Sequence, residues 1–593
     1  VNQEKGFLSG NEAIARGAYE AGVRVAAAYP GTPSTEILET LATYPDIDVE
    51  WSPNEKVALE VAMGAAFCGA RVLVAMKHVG LNVAADPLMT LSYTGSPGGV
   101  VVVSADDPGM HSSQNEQDNR HYARMAKIPM LEPADSEEAR RFVRLAFALS
   151  EELDTPVLLR VTTRICHSKG VVTLEERDPL DQKFHFGRDP AKYVMVPGHA
   201  RTRHTLVEQR MRGLRKLSEK FPENRIEGTG EGPAVITSGI AYQYVRECLP
   251  DAPVLKLAIT YPLPRKLIKR FASKHGPVTV VEELDPFLEE QIRSFGVKVK
   301  PRPEDWLEGE LSPERVAPAL GVPLAVSASQ AGVRPRPPVL CPGCPHRAVF
   351  VALKKLRLVA TGDIGCYTLG ALPPLKNVDT CVCMGAGIGH AHGFSKVLPP
   401  EERSKVVAVI GDSTFVHSGI TGLLDIVYNQ GQCTILILDN GTTAMTGRQD
   451  HPGTGKTLRG EPTFQLKYED LSRALGVRDV RVVDPLDQED TIRQLREATE
   501  NPEPSVVICR AACNLIRGYK RTAFEIDPEE CNDCEACLRI GCPAIQKVDD
   551  KILIDPLVCH GCSLCMQQCK FGAIHPVETP TPPTSPAAEE KKP

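Results

Sequence analysis

Eight of the chain's nineteen cysteines lie between Cys531 and Cys569, in two runs: Cys531, Cys534, Cys537 and Cys542, then Cys559, Cys562, Cys565 and Cys569. Gaps of two residues bring successive thiolates round one soft metal centre, and each triplet has a fourth thiolate behind it. Tetrahedral zinc uses such sets to hold a fold, and iron–sulfur cubanes use them to pass single electrons; the doubled triplet favours the cubane. A second group of residues has the opposite chemistry. Asp412 follows the apolar run 406–410 in Gly411-Asp412-Ser413, and Asn440 follows the run 434–438 in Asp439-Asn440-Gly441. If the runs are parallel strands, both oxygen donors stand at the carboxyl edge of a sheet, where open α/β sheets bind ligands. Hard oxygens there suit Mg²⁺ beside a diphosphate. Gly385-Ala386-Gly387 would let the backbone come close to such a cofactor. Nucleotide signatures fit less well: His390 takes the last glycine position of the dinucleotide fingerprint, and Asp450 takes the first glycine of a P-loop ending in Gly455-Lys456-Thr457.

These residues need a scaffold, and the sequence describes one. Up to about residue 173, β-rich runs at 23–29, 72–76, 100–104 and 157–161 alternate with helical patterns such as 55–70, where Val57, Val61 and Ala65 share a face. Alternating strands and helices indicate a mainly parallel α/β layer. A polar, basic excursion with one helix at 201–219 follows, then a second α/β unit with strands at 234–237, 254–257 and 278–281. Residues 333–339 are Pro-rich and read as a linker. A third α/β unit runs over 340–514, with a strand at 505–509 as well as the two already named. The cysteine-dense stretch 524–574 comes next, and the Pro-, Thr- and charge-rich end, 575–593, is expected to be disordered.

Length and composition limit the function. A chain of 593 residues supports three to five domains. A net charge of −7 argues against nucleic acid as the main partner, and no apolar run reaches the roughly 20 residues that span a bilayer. Residues 1–10 have no basic segment leading into an apolar one, so no export signal is read there. Clustered cysteines without such a signal point to metal ligation in a reducing, cytoplasmic setting.

The doubled cysteine run resembles bacterial ferredoxins, in which three thiolates hold one cluster and the fourth crosses to the other. That likeness assigns Cys531, Cys534, Cys537 and Cys569 to one 4Fe–4S centre and Cys559, Cys562, Cys565 and Cys542 to another. Four residues instead of three precede Cys542, and Lys570 stands where proline is usual; neither change removes a ligand. Gly411-Asp412-Ser413 with Asn440 resembles the thiamine-diphosphate signature, with Ser413 in place of a common Gly and Asp439 in place of the first Asn. By that likeness the Thr442 carbonyl completes the protein ligands of Mg²⁺.

With Tyr29-Pro30-Gly31-Thr32-Pro33, Asn54-Glu55-Lys56-Val57-Ala58, Met76-Lys77-His78-Val79-Gly80, Asp106-Asp107-Pro108-Gly109 and Cys341-Pro342-Gly343-Cys344-Pro345-His346-Arg347 added, the chain resembles the alpha subunits of indolepyruvate:ferredoxin oxidoreductases over essentially its whole length. These belong to the thiamine-diphosphate-dependent 2-oxoacid:ferredoxin oxidoreductases. The resemblance implies a multidomain α/β protein with mainly parallel sheets and a small C-terminal α+β ferredoxin domain. Its parts are a pyrimidine-binding domain over 1–185, a connecting excursion over 186–231 and a transketolase-C-like domain over 232–332. A linker over 333–339, a diphosphate-binding domain over 340–518, a two-cluster ferredoxin domain over 522–576 and a disordered tail over 577–593 complete it.

The same resemblance implies roles. Glu55 would activate thiamine diphosphate by sharing a proton with its pyrimidine ring, the bland alternative being a carboxylate that only opens a helix. Thr32 would contact the oxoacid, unless it is a turn residue. Cys341, Cys344, Cys366 and Cys513 correspond to places where relatives hold a cluster near thiamine, so a third 4Fe–4S centre stands against the alternative of buried, packing thiols. His78 and His111 are candidates for lining the site, although a lone histidine is more often a packing residue. The implied reaction is oxidative decarboxylation of an aryl 2-oxoacid with coenzyme A, with electrons leaving through external ferredoxin. It would need a smaller beta subunit and a dimer of alpha–beta units. A non-oxidative thiamine decarboxylase, and an electron-transfer subunit with scaffold thiamine-like domains, are the rivals.

Overall fold

The run Val72–Lys77 is apolar until its last residue and buried throughout, so neither of its faces meets water. Such a strand needs helices on both sides. In the computed structural model, which describes residues 4–179, 184–323, 337–516 and 522–577, it sits near the middle of a seven-stranded sheet. The strand order is Ile259–Tyr261, Met130–Leu131, Val157–Thr162, Val100–Asp106, Val72–Lys77, Val25–Ala28, Asp48–Trp51. All neighbours pair in parallel except the first two. Side chains alternate between two cores. Leu73, Ala75, Val101 and Val103 meet helices Gly10–Glu20 and Ser136–Leu153, while Val72, Val74, Val100 and Val102 meet helix Glu55–Phe67.

By contact, residues 1–333 together with 449–451 and 456–463 form one compact unit, and the remainder forms a second. The first unit also holds a four-stranded sheet ordered Thr279–Val281, Val235–Ser238, Val254–Leu257, Arg225–Glu227, with the last strand antiparallel. The chain leaves that sheet after Leu257 and enters the larger one at Ile259. Asn224 Oδ1 holds the crossing by accepting from the Ala258 and Ile259 amides at 2.8 and 3.2 Å. The polar stretch after residue 186 docks instead of looping free. Helix Pro197–Ser218 buries Val207, Met211, Leu214 and Ser218, and Arg203 and Arg210 donate to the carbonyls of Tyr93, Thr94, Ser92 and Asp154.

The second unit has a five-stranded, fully parallel sheet ordered Val359–Thr361, Val406–Gly411, Thr434–Asp439, Ser505–Arg510, Asp479–Val483. The cysteine-dense end adds two antiparallel pairs, Phe524–Ile526 with Ile574–Pro576 and Ile545–Val548 with Lys551–Ile554. It shares its core with the parallel sheet: Ile540, Ile545, Ile554 and Leu564 join the cluster that holds Phe350, Val409 and Leu438. Of the expected linker, residues 333–336 lie outside the described residues, as do 578–593 of the expected tail. No described helix is long and apolar enough to cross a membrane.

Charge is buried inside the first unit. Arg120, 1% exposed, donates to Asp118 at 2.6 Å and Glu282 at 2.6 Å, and Arg160 donates to Asp106 at 2.9 Å. Glu283 lies among them, accepts from the Leu311 amide at 3.1 Å, and is pushed up to about 7 by burial against the pull of Arg160. An unfolded glutamate titrates near 4.3, so the folded state binds this proton more tightly. The associated stability is fully present below about pH 4 and is lost as pH rises through about 7. Glu283→Gln keeps an acceptor oxygen and removes the titration. The decline in unfolding temperature between about pH 5 and 7.5 should flatten in scanning calorimetry; an unchanged slope would place the proton elsewhere.

Candidate functional site

In the first unit the candidate residues collect at the carboxyl ends of three adjacent parallel strands. Thr32 follows Val25–Ala28, Lys77 ends Val72–Lys77, and Asp107 follows Val100–Asp106. Glu55 opens its helix behind the Asn54 cap, whose side chain accepts from the Val57 amide at 3.0 Å. The Glu55 carboxylate is buried against Gly80, where a Cβ would come within 2.5 Å of Oε1. Gly80 thus keeps the space that the carboxylate fills.

Lys77 Nζ donates to the Ser112 carbonyl at 2.5 Å and approaches Ser112 Oγ at 3.3 Å; that hydroxyl also reaches the Thr32 carbonyl at 3.3 Å. Burial brings the Lys77 ammonium down to about 8, and Asp107 opposes the shift. Asp107 itself is filled by neutral donors: the Ser112 amide, Ser113 Oγ and Thr163 Oγ1 at 2.9, 2.6 and 2.7 Å. The two histidines part company. His78 is fully buried with Nε2 3.2 Å from the Asn115 carbonyl, its Nδ1 has no hydrogen bond, and burial followed by the Lys77 charge lowers its proton affinity. His111 is on the surface, 3.4 Å from Glu310.

In the second unit the order of strands sorts the ligands. The two adjacent strands Val406–Gly411 and Thr434–Asp439 end in Asp412 and Asn440. The strands flanking them, Val359–Thr361 and Ser505–Arg510, lead to Cys366 and Cys513. Asp412 accepts from the amides of Ser413, Asn440 and Gly441 at 2.8, 3.2 and 2.8 Å. Asn440 Nδ2 donates to His346 Nε2 at 3.1 Å, and its Oδ1 accepts from the Thr442 amide at 3.1 Å. Burial lowers His346 to about 4, so it is a neutral acceptor there. Thr443 Oγ1 donates to Ser413 Oγ at 2.9 Å. The Asp412 carboxylate, the Asn440 amide oxygen and the Thr442 carbonyl would offer only oxygens, a fit for Mg²⁺ and a poor one for a soft metal.

Gly385, Ala386 and Gly387 do not present free amides. Gly385 and Gly387 donate to the buried Asp363 carboxylate at 2.9 and 3.1 Å, and Ala386 donates to the Cys383 carbonyl. Their contribution is space: a Cβ at Gly385, where φ is +88°, would meet Ser418 Cβ at 2.5 Å. Gly411 likewise lies against the Tyr367 ring, which an added Cβ would meet at 2.8 Å.

The cysteines form three quartets. Cys531, Cys534, Cys537 and Cys569 line one pocket with Ile526, Phe571 and Ile574. Cys542, Cys559, Cys562 and Cys565 line another with Phe524, Ile545 and Ile554. The fourth cysteine of each run therefore crosses to the other triplet. Cys559 Sγ accepts from the amides of Phe524 and Gly561, both at 3.4 Å. In the third quartet, Cys341 acts electrostatically on Cys344, Cys366 and Cys513, and Cys366 is also affected by Cys513.

Burial pushes Cys344 up to about 12, Cys366 to about 11 and Cys565 to about 12, so without a metal these are inert thiols.

Lys77, His346 and Arg347 lie inside the family's motifs, which gave them no role, and Asp363 lies in none. Lys77 and Asp363 are charges close behind apolar runs, a pattern that marks a strand terminus. His346 and Arg347 follow Cys341-Pro342-Gly343-Cys344 after a single proline, and their proximity to the thiols was the available signal.

Comparison with known proteins agrees with this geometry. Residues 16–215 match the thiamine-diphosphate-binding region of pyruvate flavodoxin/ferredoxin oxidoreductases, and residues 363–509 match the C-terminal binding domain of thiamine pyrophosphate enzymes. The indolepyruvate oxidoreductase subunit IorA of Archaeoglobus fulgidus is 41% identical over 97% of this chain and 98% of its own length. The IorA subunits of Pyrococcus horikoshii and Methanothermobacter marburgensis are 41% and 42% identical over 97% and 96% of this chain, and over 97% of their own lengths. The chain therefore belongs to the indolepyruvate oxidoreductase IorA family of the 2-oxoacid:ferredoxin oxidoreductases.

Proposed function

We propose that this chain, with a smaller beta subunit, carries out oxidative decarboxylation of aryl 2-oxoacids, indolepyruvate among them. Coenzyme A takes the acyl group, CO₂ is released, and two electrons leave one at a time through iron–sulfur centres to external ferredoxin. The observation that carries this reading is the hydrogen bond from the Cys513 amide to the Asn440 carbonyl, 3.0 Å. It ties the loop after Ser505–Arg510, which carries Cys513, to the loop after the neighbouring strand Thr434–Asp439, which carries Asn440, and so supports a redox centre beside a diphosphate site.

Thiamine diphosphate, when bound, supplies a nucleophilic carbon and an electron sink for the pair left by CO₂. The chain's part is to bind, orient and handle protons. Asp412, Asn440 and the Thr442 carbonyl would hold Mg²⁺, with His346 fixing the Asn440 amide. Glu55 would exchange a proton with the pyrimidine ring, while Gly80 leaves it room. Thr32 would meet the oxoacid, near the Lys77 ammonium. Cys531, Cys534, Cys537 and Cys569 would hold one 4Fe–4S centre, Cys542, Cys559, Cys562 and Cys565 a second, and Cys341, Cys344, Cys366 and Cys513 a third. A dimer is expected, since in this superfamily the pyrimidine and diphosphate sites serving one cofactor usually come from different copies. The domain limits given above, from 1–185 to 577–593, go with this assignment.

The decisive assay is anaerobic turnover of indole, phenyl and hydroxyphenyl pyruvates by the complex of this chain with its co-expressed smaller subunit. Ferredoxin reduction dependent on coenzyme A is the expected result; aldehyde formation with neither would establish the non-oxidative rival. Glu55→Gln should lower turnover by about a hundred- to ten-thousand-fold while thiamine diphosphate stays bound. Proton exchange at the thiazolium carbon, followed by NMR, should slow in parallel, and an unaltered exchange rate would remove Glu55 from activation. His346→Phe leaves the Asn440 amide without its acceptor. Retention of Mg²⁺ and thiamine diphosphate, measured by calorimetry, should weaken about ten- to a hundred-fold with iron content unchanged.

A further inference from the structure

Arg347 is 3% exposed, yet its hydrogen bonds all go to uncharged backbone carbonyls. Nη1 donates to Ile540 and Gly541 at 2.8 and 2.6 Å, and Nη2 to Leu340 and Cys341 at 2.6 and 3.3 Å. Nε is buried without a hydrogen bond. Among the described residues no carboxylate pairs with it, unlike Arg120 and Arg160, whose buried guanidiniums meet acids directly. A guanidinium keeps its charge at any working pH, and burying it uncompensated is strongly unfavourable. Neutral donors would serve four carbonyls without that cost, so the position calls for an anion.

The surroundings point to where the anion lies. The acceptor carbonyls come from two loops: Leu340 and Cys341 begin the third quartet, and Ile540 and Gly541 immediately precede Cys542. Arg347 also lines the pocket shared by Cys542, Cys559, Cys562 and Cys565. The two quartets abut at Gly343, where a Cβ would meet Cβ of His560 at 2.8 Å and of Cys562 at 3.6 Å.

We propose that Arg347 is the common counter-ion of two adjacent iron–sulfur centres, the one on Cys341, Cys344, Cys366 and Cys513 and the one on Cys542, Cys559, Cys562 and Cys565. It thereby sets both potentials and makes these two centres neighbours in the electron path, leaving that of Cys531, Cys534, Cys537 and Cys569 outermost. Arg347 is a positioning residue; it touches no reacting atom. One electron added to either centre adds one negative charge, and the fixed cation favours that addition. The inference rests on the cluster assignment proposed above.

The test uses the anaerobically purified complex with its beta subunit, with iron content and potentiometric EPR as readouts. The wild-type chain should carry about twelve irons in three centres. In Arg347→Gln two of the three midpoint potentials should fall, each favouring the oxidised form about ten-fold, which is 59 mV for one electron. The third should stay. Arg347→Lys, which keeps the charge and loses the planar fork, should hold all three near wild-type values. Wild-type protein with about eight irons would overturn the assignment of the third quartet and this inference with it. About twelve irons with unmoved potentials in Arg347→Gln would overturn the counter-ion role alone. If Arg347→Gln fails to load iron, Arg347→Lys decides: normal loading and potentials support the charge, and equal loss of iron reduces Arg347 to a hydrogen-bonding staple.

Discussion

A thiol surrounded by apolar side chains stays protonated, and a protonated thiol neither binds iron nor reacts. The second unit is built around that constraint. Cys565 sits in a pocket with Phe524, Ile545 and Ile554, and burial raises its thiol far above neutrality, as it raises those of Cys344 and Cys366, so a bound metal would be needed to make these three thiolates. The cysteine-dense segment cannot pack as an independent bead in this state. It joins the core of the parallel sheet, and its loops close on Arg347 and on Gln567, whose amide donates to the Leu486 carbonyl at 2.7 Å.

The first unit meets the same difficulty by pairing within the protein. Arg120 spans Asp118 and Glu282, and its side chain also lies over the Phe287 ring at 5.1 Å. Removing one member would strand the other charges in the interior, which is far more costly than never having buried them. The network therefore fixes how the seven-stranded and four-stranded sheets of this unit fit together. It does so away from Thr32, Glu55 and Lys77, where a buried cation with only hydroxyl and carbonyl partners is left for chemistry.

Features carried by spacing or period were legible in the sequence. The crossing of Cys542 and Cys569 between triplets follows from the ferredoxin-like repeat, and Asp412 and Asn440 fall at strand ends because fully buried strands are uninterrupted apolar runs. Features without local signature were not. Strand Ile259–Tyr261 is three residues long and changes sheet through a single side chain, Asn224. Helix Pro197–Ser218 hides its docking strip of Val207, Met211 and Leu214 among basic residues that satisfy carbonyls instead of facing water. Cys513, in Ala511-Ala512-Cys513-Asn514, carries no motif at all; its neighbours in space come from strands far apart in sequence.

The glycines at the start of helix Ala386–Val397 turn their amides into the chain. Amides at a helix start favour an anion, and here the chain provides its own: Asp363, pushed up to about 6 by burial and held by the Ile364, Gly385 and Gly387 amides. The same residue anchors the turn leading to Cys366, since its carbonyl accepts from Thr368 Oγ1 at 2.7 Å. The Gly385 and Gly387 amides are thus already occupied within the chain. The sheet then divides its carboxyl edge by strand: oxygen ligands on the inner pair, thiols on the strands to either side. That alternation, fixed by strand order alone, sets Cys366 and Cys513 on the loops to either side of Asp412 and Asn440.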